Sequence, residues 1–197
     1  MSKETTATEI KEKLPPVNID PGYVAKLTGI LLGICVVVAL LLGVVNAVTE
    51  PIITQMQAEK TAKAMAQVLQ ADSYDEVDVQ MDNVTALYRA MSGGQQIGYV
   101  VEVTSSGFGG VMSMVVGVDM NGTVTGVSVT DNAETKNIGT KVVGDQSVLD
   151  RFVGMSGTIT VNTGANRFDG ITGATVSSKA VTAGVNTALD AVAAVKG

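Results

Sequence analysis

The sequence predicts an α+β protein: an antiparallel sheet covered by helices, behind a single N-terminal transmembrane helix. Three observations carry this expectation. No residue from Leu27 to Thr49 is charged. Between Val84 and Asp131, apolar and polar residues alternate with period two in four runs, the pattern of half-buried strands. Toward the end of the chain, Val181, Val185, Ala188, Leu189 and Val192 fall on one helical face.

Residues 1–26 are polar, contain Pro15, Pro16 and Pro21, and read as a cytoplasmic tail. Residues 27–49 are the expected span. Gly29 to Val48 is almost wholly apolar, and about 20 helical residues cross a hydrocarbon core of roughly 30 Å. A buried helix of a soluble protein would show a polar stripe, which this run lacks. A cleavable leader needs a short basic start and an apolar core of about 7–15 residues. Here a long mixed-charge segment comes first and the apolar run is longer, so the anchor is expected to stay, although Ala47 offers a small residue for cleavage. Lys11, Lys13 and Lys26 precede the span and Lys60 and Lys63 follow it. This bias favours a cytoplasmic N-terminus and an outer main domain.

Residues 50–78 read as a stalk helix and linker. Pro51 suits the first turn of a new helix, where its missing N–H costs nothing. Ile52, Ile53, Met56, Met65, Val68 and Leu69 follow at roughly helical spacing, and Ala71 to Asp78 breaks the pattern. Residues 79–197 form the main domain. "VTALYRA" and "IGYVVEV" are joined by "SGGQ", and "GVMSMVVGVD" and "TVTGVSVTD" flank Met120-Asn121-Gly122. Asn-Gly between such runs is a strong hairpin signal. At least four strands of an antiparallel meander follow from this. Asp131 to Gln146 is polar and turn-rich, a short helix is expected near Val148 to Phe152, and Gly157 to Val161 reads as a fifth strand.

Composition narrows the chemistry. The one cysteine, Cys35, lies in the span and reads as a small apolar helix residue, so neither an intrachain disulfide nor a four-thiolate cluster is available. The absence of histidine removes the commonest metal ligand, general base and haem ligand. A net charge of −6 argues against nucleic acid. No metal site and no catalytic group of the chain's own are expected.

"DGITGATVSS", Asp169 to Ser178, puts small residues and a row of hydroxyls just before the last helix. A helix N-terminus offers free N–H groups and positive dipole to a phosphate. Gly170, Gly173 and Ala174 remove bulk, and Thr172, Thr175, Ser177 and Ser178 add hydroxyl donors. By spacing alone, an ordinary turn and N-cap explain the stretch as well as an anion site does. Asp169-Gly170-Ile171-Thr172-Gly173-Ala174-Thr175, however, resembles the flavinylation motif of FMN-binding domains. The resemblance implies that a flavin transferase joins FMN, through its phosphate, to the hydroxyl of Thr175. "ETKNIGTKV", Glu134 to Val142, sits where relatives often carry a Glu-Thr-Pro-Gly-Leu-Gly loop beside the flavin. Glu134, Thr135 and Gly139 match it, and Lys136, Asn137 and Ile138 depart from it. The bland alternatives are a solvated loop here and a simple turn at Asp169-Gly170.

The whole plan resembles the G subunit of the Rnf electron-transport complex and is similar to the C subunit of the sodium-translocating NADH:quinone reductase. This implies a covalent flavoprotein in the cell (inner) membrane, associated with other membrane subunits of an Rnf-type complex. It would relay electrons between reduced ferredoxin and NAD while Na+ or H+ moves, and would not be catalytic alone. The flavin suits an extracellular electron-transfer system too. An acidic, β-rich domain on a stalk also suits a surface-anchored, non-enzymatic binding module, which would be colourless where a flavoprotein is yellow.

Overall fold

The computed structural model describes residues 20–196. Residues 1–19 of the expected tail, with Lys11, Lys13, Pro15 and Pro16, lie outside the described residues. Helix α1 spans Pro21–Val68 without interruption. Asp20 opens it: its carboxylate accepts the Gly22 N–H at 3.0 Å, and its carbonyl accepts the Val24 N–H. Pro21 then occupies the first turn, where proline is tolerated. The helix thus begins before the apolar run, and Pro51 lies inside it rather than starting a second one. A mid-helix proline removes one backbone bond, yet the helix continues on both sides of it.

Contacts divide the chain into two units that meet in sequence between Ile53 and Thr54. The first is an apolar helical segment with none of its most hydrophobic window buried, and its length and composition suffice to cross a membrane. The second is the α+β domain. Of the stalk residues expected to pack, Met65 and Val68 are buried, whereas Ile52, Ile53 and Met56 are exposed. Only the last turns of α1 dock.

Five strands follow in an antiparallel meander of order β1-β2-β3-β4-β5: Ser73–Val77, Val84–Ser92, Gln95–Ser106, Val111–Asp119 and Val124–Asp131. Strand β1 lies in the segment expected to be linker. It is an exposed edge strand held by its register with β2, from Ser73 opposite Met91 to Val77 opposite Leu87. The Asn121-Gly122 turn joins β4 to β5, with Asp119 Oδ1 accepting the N–H groups of Asn121 and Thr123 at 2.7 and 2.8 Å. In β3 the strict alternation fails: Gly98, Tyr99, Val100 and Val101 are all buried. The reason is that both faces are covered. Ala64, Met65 and Val68 of α1 pack on Ala90, Val100 and Val115. The opposite face, with Leu87, Val101, Val103 and Val116, packs against the last helix. The end of α1 sits so close to the sheet that a Cβ at Gly117 or Gly126 would press into the Val68 backbone. Hydroxyls of Thr125 and Tyr74 donate to the Val68 and Leu69 carbonyls, both at 2.7 Å, and satisfy acceptors that every helix end leaves open.

After β5 the chain forms two short helices, α2 (Thr140–Val143) and α3 (Gln146–Leu149), and a 3-10 turn over Asp150–Phe152. The stretch expected as a fifth strand contributes β6 (Thr160–Val161), paired in parallel with β7 (Arg167–Phe168) apart from the main sheet. Helix α4 (Thr175–Lys196) closes the domain, with its expected face of Val181, Val185, Ala188, Leu189 and Val192 buried.

Candidate functional site

The segment from Asp169 to Ser178 is anchored at both sides. Phe168, fully buried, stacks on Phe152 with ring centroids 4.2 Å apart. Ala174, 4% exposed, is in the core. Between them, the Ala174 N–H donates to the Ile171 carbonyl at 3.0 Å, closing a turn whose third residue, Gly173, has φ +82°. A type II turn needs positive φ at that position. Gly173 is thus required by backbone conformation, since a Cβ there would meet nothing. Gly170 donates its N–H to Asn162 Oδ1 at 2.8 Å, and exposed Asp169 pairs with Arg167 at 3.0 Å.

The hydroxyls expected to face a ligand divide into two sets. Thr172 and Thr175 are exposed. Ser177 and Ser178 are buried, and both hydroxyls are used inside the protein: Ser178 Oγ accepts the Ile171 N–H at 3.1 Å, and Ser177 Oγ donates to Glu134 Oε2 at 2.8 Å. Helix spacing carried this signal, because residues 177 and 178 precede Val181 by four and three positions and share its face.

Glu134 joins three segments. It is 8% exposed. Oε1 accepts the N–H of Phe108 at 2.8 Å and, more weakly, that of Gly109 at 3.4 Å. Oε2 takes the Ser177 hydroxyl. All three contacts donate to it, the acceptor-only pattern of a carboxylate. Gly107 and Gly139 make room, since a Cβ on either would run into the Glu134 side chain. The match of Gly139 to the family loop thereby has a physical reason. Asn137, which stands where that loop has glycine, has φ +64°. Asparagine tolerates this region better than most residues other than glycine. The Thr135 carbonyl closes the loop by accepting from Ile138 N at 3.2 Å and Thr140 N at 3.4 Å.

A cavity of about 340 Å³ opens at this joint, lined by Phe108, Ile138, Gly173, Ala174, Thr175, Val176 and Ser177. It lies at the small end of the ~300–1,000 Å³ range of small-molecule sites. Thr175, the first residue of α4, is on its rim. Phe108, Ile138 and Val176 carry none of the expected site roles, yet they form its apolar wall. A phenylalanine alone among glycines in "GFGG" was the available signal.

An exposed threonine at a helix N-terminus thus lies beside an apolar cavity whose lining residues Phe108 and Ser177 are held by one buried carboxylate, in an α+β domain that follows an apolar helix. The FMN-binding domain family matches residues 107–190, which run from the Gly107 turn through the Glu134 loop into α4. The chain is 33% identical over 200 residues to the G subunit of the Na(+)-translocating ferredoxin:NAD(+) oxidoreductase complex of Acetobacterium woodii, covering 90% of this chain and 94% of that protein. It is 28% identical over 162 residues to the G subunit of the proton-translocating ferredoxin:NAD(+) oxidoreductase complex of Clostridium ljungdahlii, covering 80% and 85%. The fold is shared with the C subunit of the Na(+)-translocating NADH-quinone reductase of Parabacteroides distasonis, at TM-score 0.52 and 18% identity over 70% of this chain and 91% of that one. The chain belongs to the G-subunit family of ion-translocating oxidoreductase complexes.

Proposed function

We propose that this chain is the membrane-anchored flavoprotein subunit of an ion-translocating oxidoreductase complex, with FMN esterified through its phosphate to Thr175. The observation that carries the reading is the position of Thr175: its residue is exposed at the first turn of α4, on the rim of the apolar cavity. The donor set fits FMN. First-turn N–H groups suit a phosphate, the cavity wall suits a flat apolar ring, and Thr172 supplies a second exposed hydroxyl.

In the attachment step, a flavin transferase brings an activated flavin phosphate as a phosphoanhydride. Thr175 Oγ would become the phosphoester oxygen, with the other half of the anhydride leaving as a phosphate monoester and the hydroxyl proton passing to a base of the transferase. Bound FMN supplies reversible uptake and release of one or two electrons. The chain's own residues hold it in place: Thr175 tethers the phosphate, Gly173 sets the turn that presents Thr175, and Glu134 fixes the wall opposite. The protein works with its neighbours in the complex and is not catalytic alone.

Residues 27–49 are proposed to span the inner membrane once, with residues 1–26 cytoplasmic, residues 50–78 as stalk and residues 79–197 outside. The relatives named for ferredoxin:NAD(+) oxidoreduction support electron relay between those carriers, and with the domain outside the relay runs by way of an outer flavin. The test is Thr175→Val, which keeps the shape and deletes the hydroxyl. Co-expressed with a flavin transferase and denatured, wild type is expected to fluoresce in the gel and the variant to be dark. A variant as bright as wild type overturns the assignment.

A further inference from the structure

Resting on the reading that Thr175 carries the flavin, we propose that Phe108 is a ring-contact residue. With Ile138 and Val176 it forms the surface against which the isoalloxazine lies.

Three segments far apart in sequence each present one large apolar side chain here. Phe108 is 72% exposed, Ile138 49% and Val176 49%. Single exposed apolar residues are ordinary. Here, however, the β3–β4 turn, the loop after β5 and the first turn of α4 all bring theirs to a single cavity lined also by Thr175. The wall is also built to stay in place. Glu134 Oε1 holds the Phe108 N–H while Oε2 holds Ser177, two residues from the attachment point. Tether and wall are therefore parts of one hydrogen-bonded unit. A phosphoester alone would leave the ring swinging on a flexible sugar-alcohol chain. A flat aromatic surface beside it would narrow that freedom through the offset stacking that aromatic pairs prefer.

The chain contains no tryptophan, so one introduced residue is a clean probe. An indole in contact with an isoalloxazine quenches its emission by electron transfer. Phe108→Trp is made in the full chain, loaded with FMN by co-expression with a flavin transferase and purified in detergent. The control is Met120→Trp. Met120 accepts a hydrogen bond from Lys196, at the far end of α4 from Thr175, and the helix alone separates those ends by about 32 Å. The measurement is the ratio of native to denatured flavin emission, which is independent of loading. A ratio several-fold lower for Phe108→Trp than for Met120→Trp is expected. Visible circular dichroism of the flavin is the second readout: Phe108→Ala is expected to lose most of the band, because the ring is no longer held in one asymmetric setting. Equal ratios in the two tryptophan variants, with an unchanged band in Phe108→Ala, overturn the wall while fluorescence in the denaturing gel leaves the Thr175 link standing. A gel that is dark for wild type overturns both.

Discussion

Replacing Glu134 tests the joint that holds the site together. In Glu134→Ala, the Phe108 and Gly109 N–H groups and the Ser177 hydroxyl lose their acceptor together. Two of those bonds are short, at 2.8 Å each, and the third is a marginal 3.4 Å. A hydrogen bond to a charged group contributes about 1.5–3 kcal/mol. Ser177 is 1% exposed and cannot turn to water, whereas the N–H groups of the exposed turn recover part of their loss from solvent. The net cost is therefore about 2–4 kcal/mol, a large share of the roughly 5–15 kcal/mol that holds an ordinary domain folded. Glu134→Gln is the matched control. Its amide oxygen still accepts from Phe108, and its NH₂ faces Ser177 Oγ, which rotates to accept, so the cost falls to about 1 kcal/mol. The assay is chemical denaturation of the full chain in detergent, with hydrogen–deuterium exchange by mass spectrometry to locate the change. Faster exchange is expected in residues 107–110 and in the first turn of α4 for the alanine variant, with the glutamine variant near wild type. Alanine and glutamine variants of equal stability, with residues 107–110 exchanging as in wild type, would refute the reasoning.

Sidedness is checked by Asn121→Cys at the exposed β4–β5 turn, the native cysteine being confined to the apolar segment; a membrane-impermeant thiol reagent is expected to label it on intact cells, and labelling only after lysis places the domain inside. Val37→Arg and Val38→Arg together, at the middle of the apolar run, are expected to cost insertion about 2.5–3.5 kcal/mol each; an unchanged membrane fraction in a glycosylation or carbonate-extraction assay counts against the anchor. Burial, aided by the neighbouring Glu102 and Glu76 carboxylates, pushes the Tyr88 phenol up to about 12. The folded state thus holds that proton more tightly than the unfolded chain, whose phenol ionises near 10, so this stabilisation is complete below about pH 10 and fades as pH rises toward 12. Tyr88→Phe is expected to flatten the alkaline limb of the denaturation profile over that window, and an unchanged limb contradicts the sign.

Which parts of this structure were legible in advance depends on where the stabilising contacts lie. Strands β2 to β5 and helix α4 are marked by their own apolar runs, because each buries one face, or in β3 and β4 both, along most of its length. Strand β1 has no such mark: Ser-Tyr-Asp-Glu-Val is an exposed edge, made a strand by its register with β2. Pro51 was misleading because local propensity marks a helix start, while the helix on both sides of it carries on through the proline. Thr160 and Val161 have strand-like chemistry but pair with Arg167 and Phe168, a partner that no local pattern announces. At the site, the motif drew attention to every hydroxyl. The helical stripe that buries Val181 also turns Ser177 and Ser178 inward, so periodicity read one turn further back would have separated them from Thr175. The role of Glu134 rests on Phe108 and Ser177, 26 and 43 residues away, contacts that appear only once the chain is folded.

That separation in sequence bears on how one hydroxyl can be singled out. Five hydroxyl or carboxylate groups lie between Asp169 and Ser178, and local chemistry hardly distinguishes them. The fold does. Ser177 and Ser178 are consumed by Glu134 and the Ile171 N–H, and Asp169 by Arg167. Thr172 occupies the second position of the turn before the helix, and it is not among the residues lining the cavity. Thr175 alone joins exposure, a place at the start of α4 and contact with the cavity. Each of these distinctions needs a different tertiary contact: the Phe152–Phe168 stack before the motif, the buried Ala174 within it and the Glu134 joint behind it. The exposure of Thr175 beside the cavity, on which the proposed attachment rests, therefore depends on contacts from the sheet, the loop after β5 and the last helix together.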